Sequence, residues 1–428
     1  MRYLVSNEFR LSGPQRLSRK LEAPEADFQV VAVQAFPAPA EDDDRIARKS
    51  PRVNASGIRN PQALFDGNLS TTADFTEYPA RVEIRLDHPV TVRSLELHPA
   101  DAPMSADCKL EALGADGRWQ PVSRFKIDRE KLDVAIGPIR FGAVCHSFEA
   151  ITAREFRLTF TNGAGGRLRS IELSGAARLS SYVEKQLGKM SPVPEIYADT
   201  YRWPESAEPE SKSLVVDPGQ VIDLTAQLDA DARLVWEVPE GEWVVVYTGM
   251  APTGTMNAPT TPEGRGLEVD KMNRELAQFH FDSFIGELLK RIPPEKRTGF
   301  RHVVADSYEQ GSQNWTEGFA EEFMRVYGYD PYPWLPVLTG RVVENADRSD
   351  RFLWDMRRLV ADRIASGYVG GLRERCEENG LRLWLENYGH WGFPGEFLNY
   401  GGASHDLGGE FWLTAPSLGP VEVRCASS

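Results

Sequence analysis

From Trp243 onward the chain keeps one grammar: a short apolar run, a loop, an amphipathic helical pattern, then another apolar run. "WVVVYT" at 243–248 is β-branched and apolar throughout, which predicts a strand buried on both faces. The loop "GMAPTGTMNAPTTPEGRGLE" follows, then a helical pattern from Asp270 to Arg291. Next come the strand "FRHVVADSYE", the helix "TEGFAEEFMRVYG", and the longest helical pattern, Ser349 to Glu378, stopped by Asn379-Gly380. "LRLWLENYG" and "SHDLGGEFW" continue the series. Strands alternating with helices predict a parallel α/β sheet, and in a (β/α)8 barrel the chemistry sits where the strands end.

Those ends are rich in carboxylates. One strand finishes in Asp306, Tyr308 and Glu309, the next in Glu386, Asn387 and Tyr388, the last in Glu410, Phe411 and Trp412. Glutamates ending separate parallel strands can face each other across a pocket. Glycoside hydrolysis needs such a pair, one carboxylic acid to protonate the leaving oxygen and one carboxylate to activate water or attack. Neighbouring aromatic and polar groups set their pKa values apart. Trp315, Tyr388, Trp391 and Trp412 offer rings for stacking on sugar faces. The plainer explanation is exposed glutamates that happen to end strands or sit at helix N-termini. Recurrence at three strand ends, each with a Trp or Tyr close by, favours the site. His390 and His405 read more simply as hydrogen-bonding loop residues. No Ser-His-Asp order, phosphate loop or dinucleotide fingerprint follows a strand.

Ahead of this region, from about Phe28 to Leu173, short and partly alternating runs separated by Gly, Asp, Asn and Pro predict an antiparallel β-sandwich. Within it "NPQALFDGNLSTTADF" resembles the opening of discoidin-type, galactose-binding-like jelly rolls; a plain Asp66-Gly67-Asn68 turn is the alternative. The expected organisation is multidomain: a carbohydrate-binding-like sandwich over 1–178, a connector and β-rich lead-in over 179–240, and the N-terminal part of a TIM-type barrel over 241–428. From Trp243 to Ser428 the pattern offers about four strands, half of what a closed barrel needs, so the chain reads as a fragment.

The 41% apolar residues suffice for real cores, and the net charge of −14 argues against a nucleic-acid partner. No apolar run reaches membrane-spanning length, and the N-terminus lacks the features of a signal peptide. Cys108, Cys145, Cys376 and Cys425 form no C-x-x-C pair, which disfavours zinc held by such a motif. Cys108 and Cys145 are either disulfide partners in an oxidising compartment or two buried thiols.

"DSYEQGSQNWTEGFAEEF", "YGYDPYPWLPVLTGRVV", "RFLWDMRRLVAD", "LWLENYG" and "GGEFW", in that order, resemble glycoside hydrolase family 106, the α-L-rhamnosidases. "LVWEVPEGEWVVVYTG" and "TGTMNAPTTPEGRGLEVDKM" extend the resemblance back to about Val215. It implies inverting removal of terminal α-L-rhamnose from an oligosaccharide or glycoside, with a glutamate pair and a calcium ion that holds sugar hydroxyls. Glu309 then matches the general acid and Glu410 the general base. Glu386 becomes a calcium or substrate ligand, the last two roles being exchangeable. Asp306, Trp315, Asn387, Tyr388, His390 and Trp412 complete the substrate-binding set, with Trp315 or Trp412 against the rhamnose methyl. The family also implies a periplasmic or extracellular home. The alternatives are a non-catalytic carbohydrate-binding fragment or a glycosidase for another sugar.

Overall fold

The computed structural model describes residues 1–190, 204–387 and 392–409. Three sheets organise them. The first is antiparallel and four-stranded, in the order Arg2–Lys20, Arg233–Pro252, Gln29–Pro37, Ile222–Asp223. Its central strand carries the apolar run at 243–248. Val244 and Val246 point into the main core with Leu4, Ala32 and Phe36, while Trp243, Val245 and Tyr247 fill a second core with Val33, Ala35, Leu234 and Trp236. Burial on both faces is therefore as expected, but the partners are antiparallel and this strand does not begin the parallel sheet. An all-apolar run says how much of a strand is covered; it does not say which way its neighbours run. Those neighbours come from the N-terminus, so residues 2–20 and 29–37 belong here and not to the sandwich.

The sandwich strands follow the order Ile58–Arg59, Ala73–Phe75, Arg167–Ser174, Ala80–Pro99, Val144–Gly165, Met104–Leu113, Trp119–Arg129, with Arg52–Ser56 added onto 80–99. All pairings are antiparallel. Alternate residues such as Val82, Ile84, Leu95, Leu97, Leu110, Phe156, Leu158 and Phe160 fill one core. Cys108 lies opposite Phe160 and Cys145 opposite Glu96; both are free, buried thiols. Burial pushes the Cys108 thiol pKa up, as it does for an inert core cysteine.

The third sheet is parallel, His302–Ala305, Arg382–Glu386, Asp406–Gly408, with Val303 beside Leu383 and Leu385 beside Leu407. The helices around it follow the sequence pattern. One runs Arg274–Phe281 and continues through Asp282–Gly286 to Glu287–Arg291. It starts at Arg274 and not at Asp270 because Asn273 caps it, accepting from the Leu276 amide at 3.1 Å, while the Asp270 carboxylate is spent on other partners. The long helix Ala346–Ile364, capped by Asn345, extends through Ala365–Val369 into Gly370–Glu378 and ends where Gly380 takes φ 69°. Phe352, Leu353, Met356, Leu359, Val360 and Ile364 form its buried stripe, each worth roughly 1.5–3 kcal/mol of transfer.

Buried charges tie the segments together. Asp42 accepts from Arg178 at 2.6 Å and Arg341 at 2.9 Å and pairs with Arg10; Arg341 also holds Glu8 at 2.6 Å. Burial alone would raise the Asp42 pKa, but Arg178 and Arg341 outweigh it and hold the carboxyl well below its usual range.

Candidate active site

The loop after the 302–305 strand explains why amides and an indole follow two carboxylates. Ser312, Gln313, Asn314, Trp315 and Thr316 are all buried. Asn314 Oδ1 accepts from the Leu4 amide at 2.7 Å, and its Nδ2 donates to the Gln186 carbonyl at 3.0 Å. Ser312 donates to the Leu187 carbonyl at 2.5 Å. Gln313 and Thr316 donate to the two oxygens of Asp270, at 2.7 and 2.6 Å. The polar run thus staples the N-terminal strand, the 182–190 segment and the Asp270 loop into one base. Trp315 is 3% exposed and packs on Phe319 at 4.6 Å between ring centres. It belongs to the core, so the expectation that it contacts sugar is corrected. Its position in an otherwise polar loop suggested exposure, whereas the loop itself is buried.

Above this base, the backbone N–H of Ser307 donates to Glu386 Oε2 at 2.9 Å and its hydroxyl donates to Glu309 Oε1 at 3.3 Å. One serine therefore joins the glutamates of two adjacent parallel strands. Glu386 is buried and Glu309 half-buried. Asp306 is exposed, with its carboxylate turned back to the Ser307 amide at 3.1 Å. Asn387 is fully buried; its amide N–H donates to the Gly408 carbonyl at 2.9 Å, and its side chain sits so close to Gly401 that a Cβ there would meet Nδ2 at 2.6 Å. It is a positioning residue between the strands, not an open contact surface. Glu410, Tyr388, His390, Trp391 and Trp412 lie outside the described residues. His405 is a structural hydrogen-bonding residue, accepting from the Leu383 amide at 3.0 Å with its other nitrogen 3.1 Å from Glu377.

Sequence reasoning named Tyr308 at a strand end but passed over its burial and over Lys271. Tyr308 is buried, donates to the Gly311 carbonyl at 2.8 Å, and contacts Phe393 and Tyr400. Lys271, also buried, pairs with Glu268 at 2.7 Å and lies 4.3 Å from the Tyr368 ring centre. Burial would lower its pKa, but Tyr368 and Glu268 raise it, so the ammonium stays charged. The "LEVDKM" run, with two acids just ahead of a lysine, was the available signal.

Glutamates at the C-terminal ends of neighbouring parallel strands are the kind of arrangement that glycoside hydrolases use. The chain belongs to glycoside hydrolase family 106, described as alpha-L-rhamnosidase, whose profile matches residues 1–427. A rhamnosidase from Novosphingobium sp. PP1Y superimposes with a TM-score of 0.75 at 28% identity, over 94% of this chain and 38% of that one. A Formosa agariphila protein named "Putative beta-glucuronidase" is 38% identical over 198 residues, 46% of this chain and 17% of that protein. The chain thus spans well under half the length of either relative.

Proposed function

We propose that this chain carries catalytic machinery of an inverting glycosidase that removes terminal α-L-rhamnose from oligosaccharides or glycosides. The observation that supports it most is the meeting of Glu309 and Glu386 at Ser307, at the ends of neighbouring parallel strands. In this reading the three strands open a (β/α)8 barrel. Glu309 is the general acid and Glu410, two residues beyond the Asp406–Gly408 strand, the general base. An inverting pair is separated by about 6.5–9.5 Å, which leaves room for the attacking water. Glu386, on the central strand of the three, then serves as a fixed ligand.

Calcium fits the chemistry of the donors, since Glu386, Asp306 and the Asn387 amide all offer hard oxygens. Their number is short: among the described residues, no three His, Cys, Asp or Glu side chains converge at these strand ends. Glu386 is the residue assigned to hold the ion, which when bound would fix the sugar's hydroxyls. Family resemblance supports a periplasmic or extracellular site of action.

Hydrolysis of an aryl α-L-rhamnoside, with and without EDTA and beside a Glu309→Gln variant, tests the proposal. Turnover that the variant abolishes supports it; sugar binding without turnover in either protein points to a carbohydrate-binding fragment instead. The name of the Formosa relative motivates one second reading, a β-glucuronidase. Cleavage of an aryl β-glucuronide and not of the rhamnoside would establish that reading.

A further inference from the structure

A second cluster lies on the sandwich, on the wall of a cavity of about 840 Å³ bordered by Arg45, Glu96, His98, Arg178, Tyr182 and Thr248. Glu96 and His98 are two apart on one strand and so share a face, and Glu172 stands directly opposite Glu96 on the neighbouring strand. Like charges directly opposite on adjacent strands destabilise a sheet, and this pair holds cationic groups close, Arg45 against Glu172 and His98 facing both carboxylates. His98 Nε2 lies 3.6 Å from Glu96 Oε2 and 3.8 Å from Glu172 Oε1. Both distances exceed hydrogen-bond reach, and this buried nitrogen has no hydrogen-bond partner. Among the described residues, this is the one place where three such ligand atoms come within 4.8 Å of one another.

From this geometry we propose that Glu96, His98 and Glu172 form a divalent transition-metal site of the zinc type, with an open coordination position facing the cavity. One imidazole and two carboxylates are an ordinary ligand set for zinc with a vacant position for water. At metal–ligand bonds of about 2.0–2.1 Å, tetrahedral donors lie about 3.3 Å apart. The two His98–carboxylate distances of 3.6 and 3.8 Å lie within about half an ångström of that value, and all three donor atoms fall within 4.8 Å of one another.

Two arginines attend the cluster. Arg45 Nη1 is 2.8 Å from Glu172 Oε1, but its Nε already lies 3.3 Å from Asp43, so it can withdraw to that carboxylate. Arg178 Nε is 3.9 Å from Glu96 Oε1 and is held chiefly by Asp42. The buried Cys145, opposite Glu96 on the other neighbouring strand, shares this face of the sheet. The site stands apart from the strand-end carboxylates, and its occupancy does not depend on the rhamnosidase reading.

The test uses the full chain, stripped with EDTA and dialysed. Zn²⁺ is titrated by calorimetry and Co²⁺ followed by visible absorption. One equivalent binds, with an intense low-coordinate Co²⁺ band. His98→Ala and the near-isosteric Glu172→Gln each weaken Zn²⁺ binding by at least about tenfold and remove the band. Circular dichroism checks that both variants are folded; if His98→Ala is not, Glu172→Gln decides. Absence of saturable binding, or binding that survives both substitutions, overturns the proposal.

Discussion

Asn314→Ala isolates the staple that supports the Glu309 loop. The side chain satisfies two buried backbone groups, the Leu4 amide and the Gln186 carbonyl, at 2.7 and 3.0 Å. Alanine fills neither role and admits no side chain that does. Leaving a buried polar group unsatisfied costs roughly 1–3 kcal/mol, so the pair predicts a loss of about 2–6 kcal/mol. Urea unfolding followed by circular dichroism and tryptophan fluorescence reads this directly. With an m-value of about 3 kcal/mol/M, the midpoint of the transition that includes this region falls by about 0.7–2 M. Gln310→Ala, four residues earlier on an exposed side chain donating at 3.3 Å, is the control and leaves the midpoint in place. A midpoint for Asn314→Ala within about 0.2 M of wild type would refute the claim that this loop is held by its buried amides.

Asp42→Ala strands Arg178 and Arg341 without their shared carboxylate and costs about 3–5 kcal/mol in the same assay. Because the folded Asp42 pKa is depressed, its contribution is present above the unfolded value of about 3.9 and is lost as pH falls through the folded value. Wild type should therefore lose stability on acidification below about pH 4 more steeply than Asp42→Ala; parallel melting curves would contradict this. Cys108 and Cys145 are free thiols, so the melting temperature is the same with and without dithiothreitol, and a drop on reduction would reveal a disulfide. Trp412→Ala weakens rhamnoside turnover more than calcium binding, if the ring serves the sugar's methyl; equal losses would count against that role.

The fold was legible wherever local pattern decides it. The helical stripe of 346–364, its Asn345 cap and the Gly380 stop are written in consecutive residues. The three short parallel strands could also be read, since each apolar run ends in polar residues. What escaped were the long-range partners. Strand 243–248 pairs with residues more than two hundred positions away, and nothing in its own composition announces them. At the site, the strand-end rule pointed to Glu309 and Glu386, which meet at Ser307, while Glu410, the partner expected for Glu309, lies outside the described residues. The same rule misjudged Trp315, because polar neighbours normally mark a wet loop; here each of those neighbours has a buried partner. Asn387 was placed at the right strand end, but its burial against Gly401 depends on a helix fourteen residues further on.

The most direct measurement follows the anomer first released from an aryl α-L-rhamnoside by proton NMR, in wild type, Glu309→Gln and Glu410→Gln. The proposed inverting mechanism yields the β-anomer first, and either substitution removes that signal. Initial release of the α-anomer, or undiminished turnover in Glu309→Gln, would contradict the account.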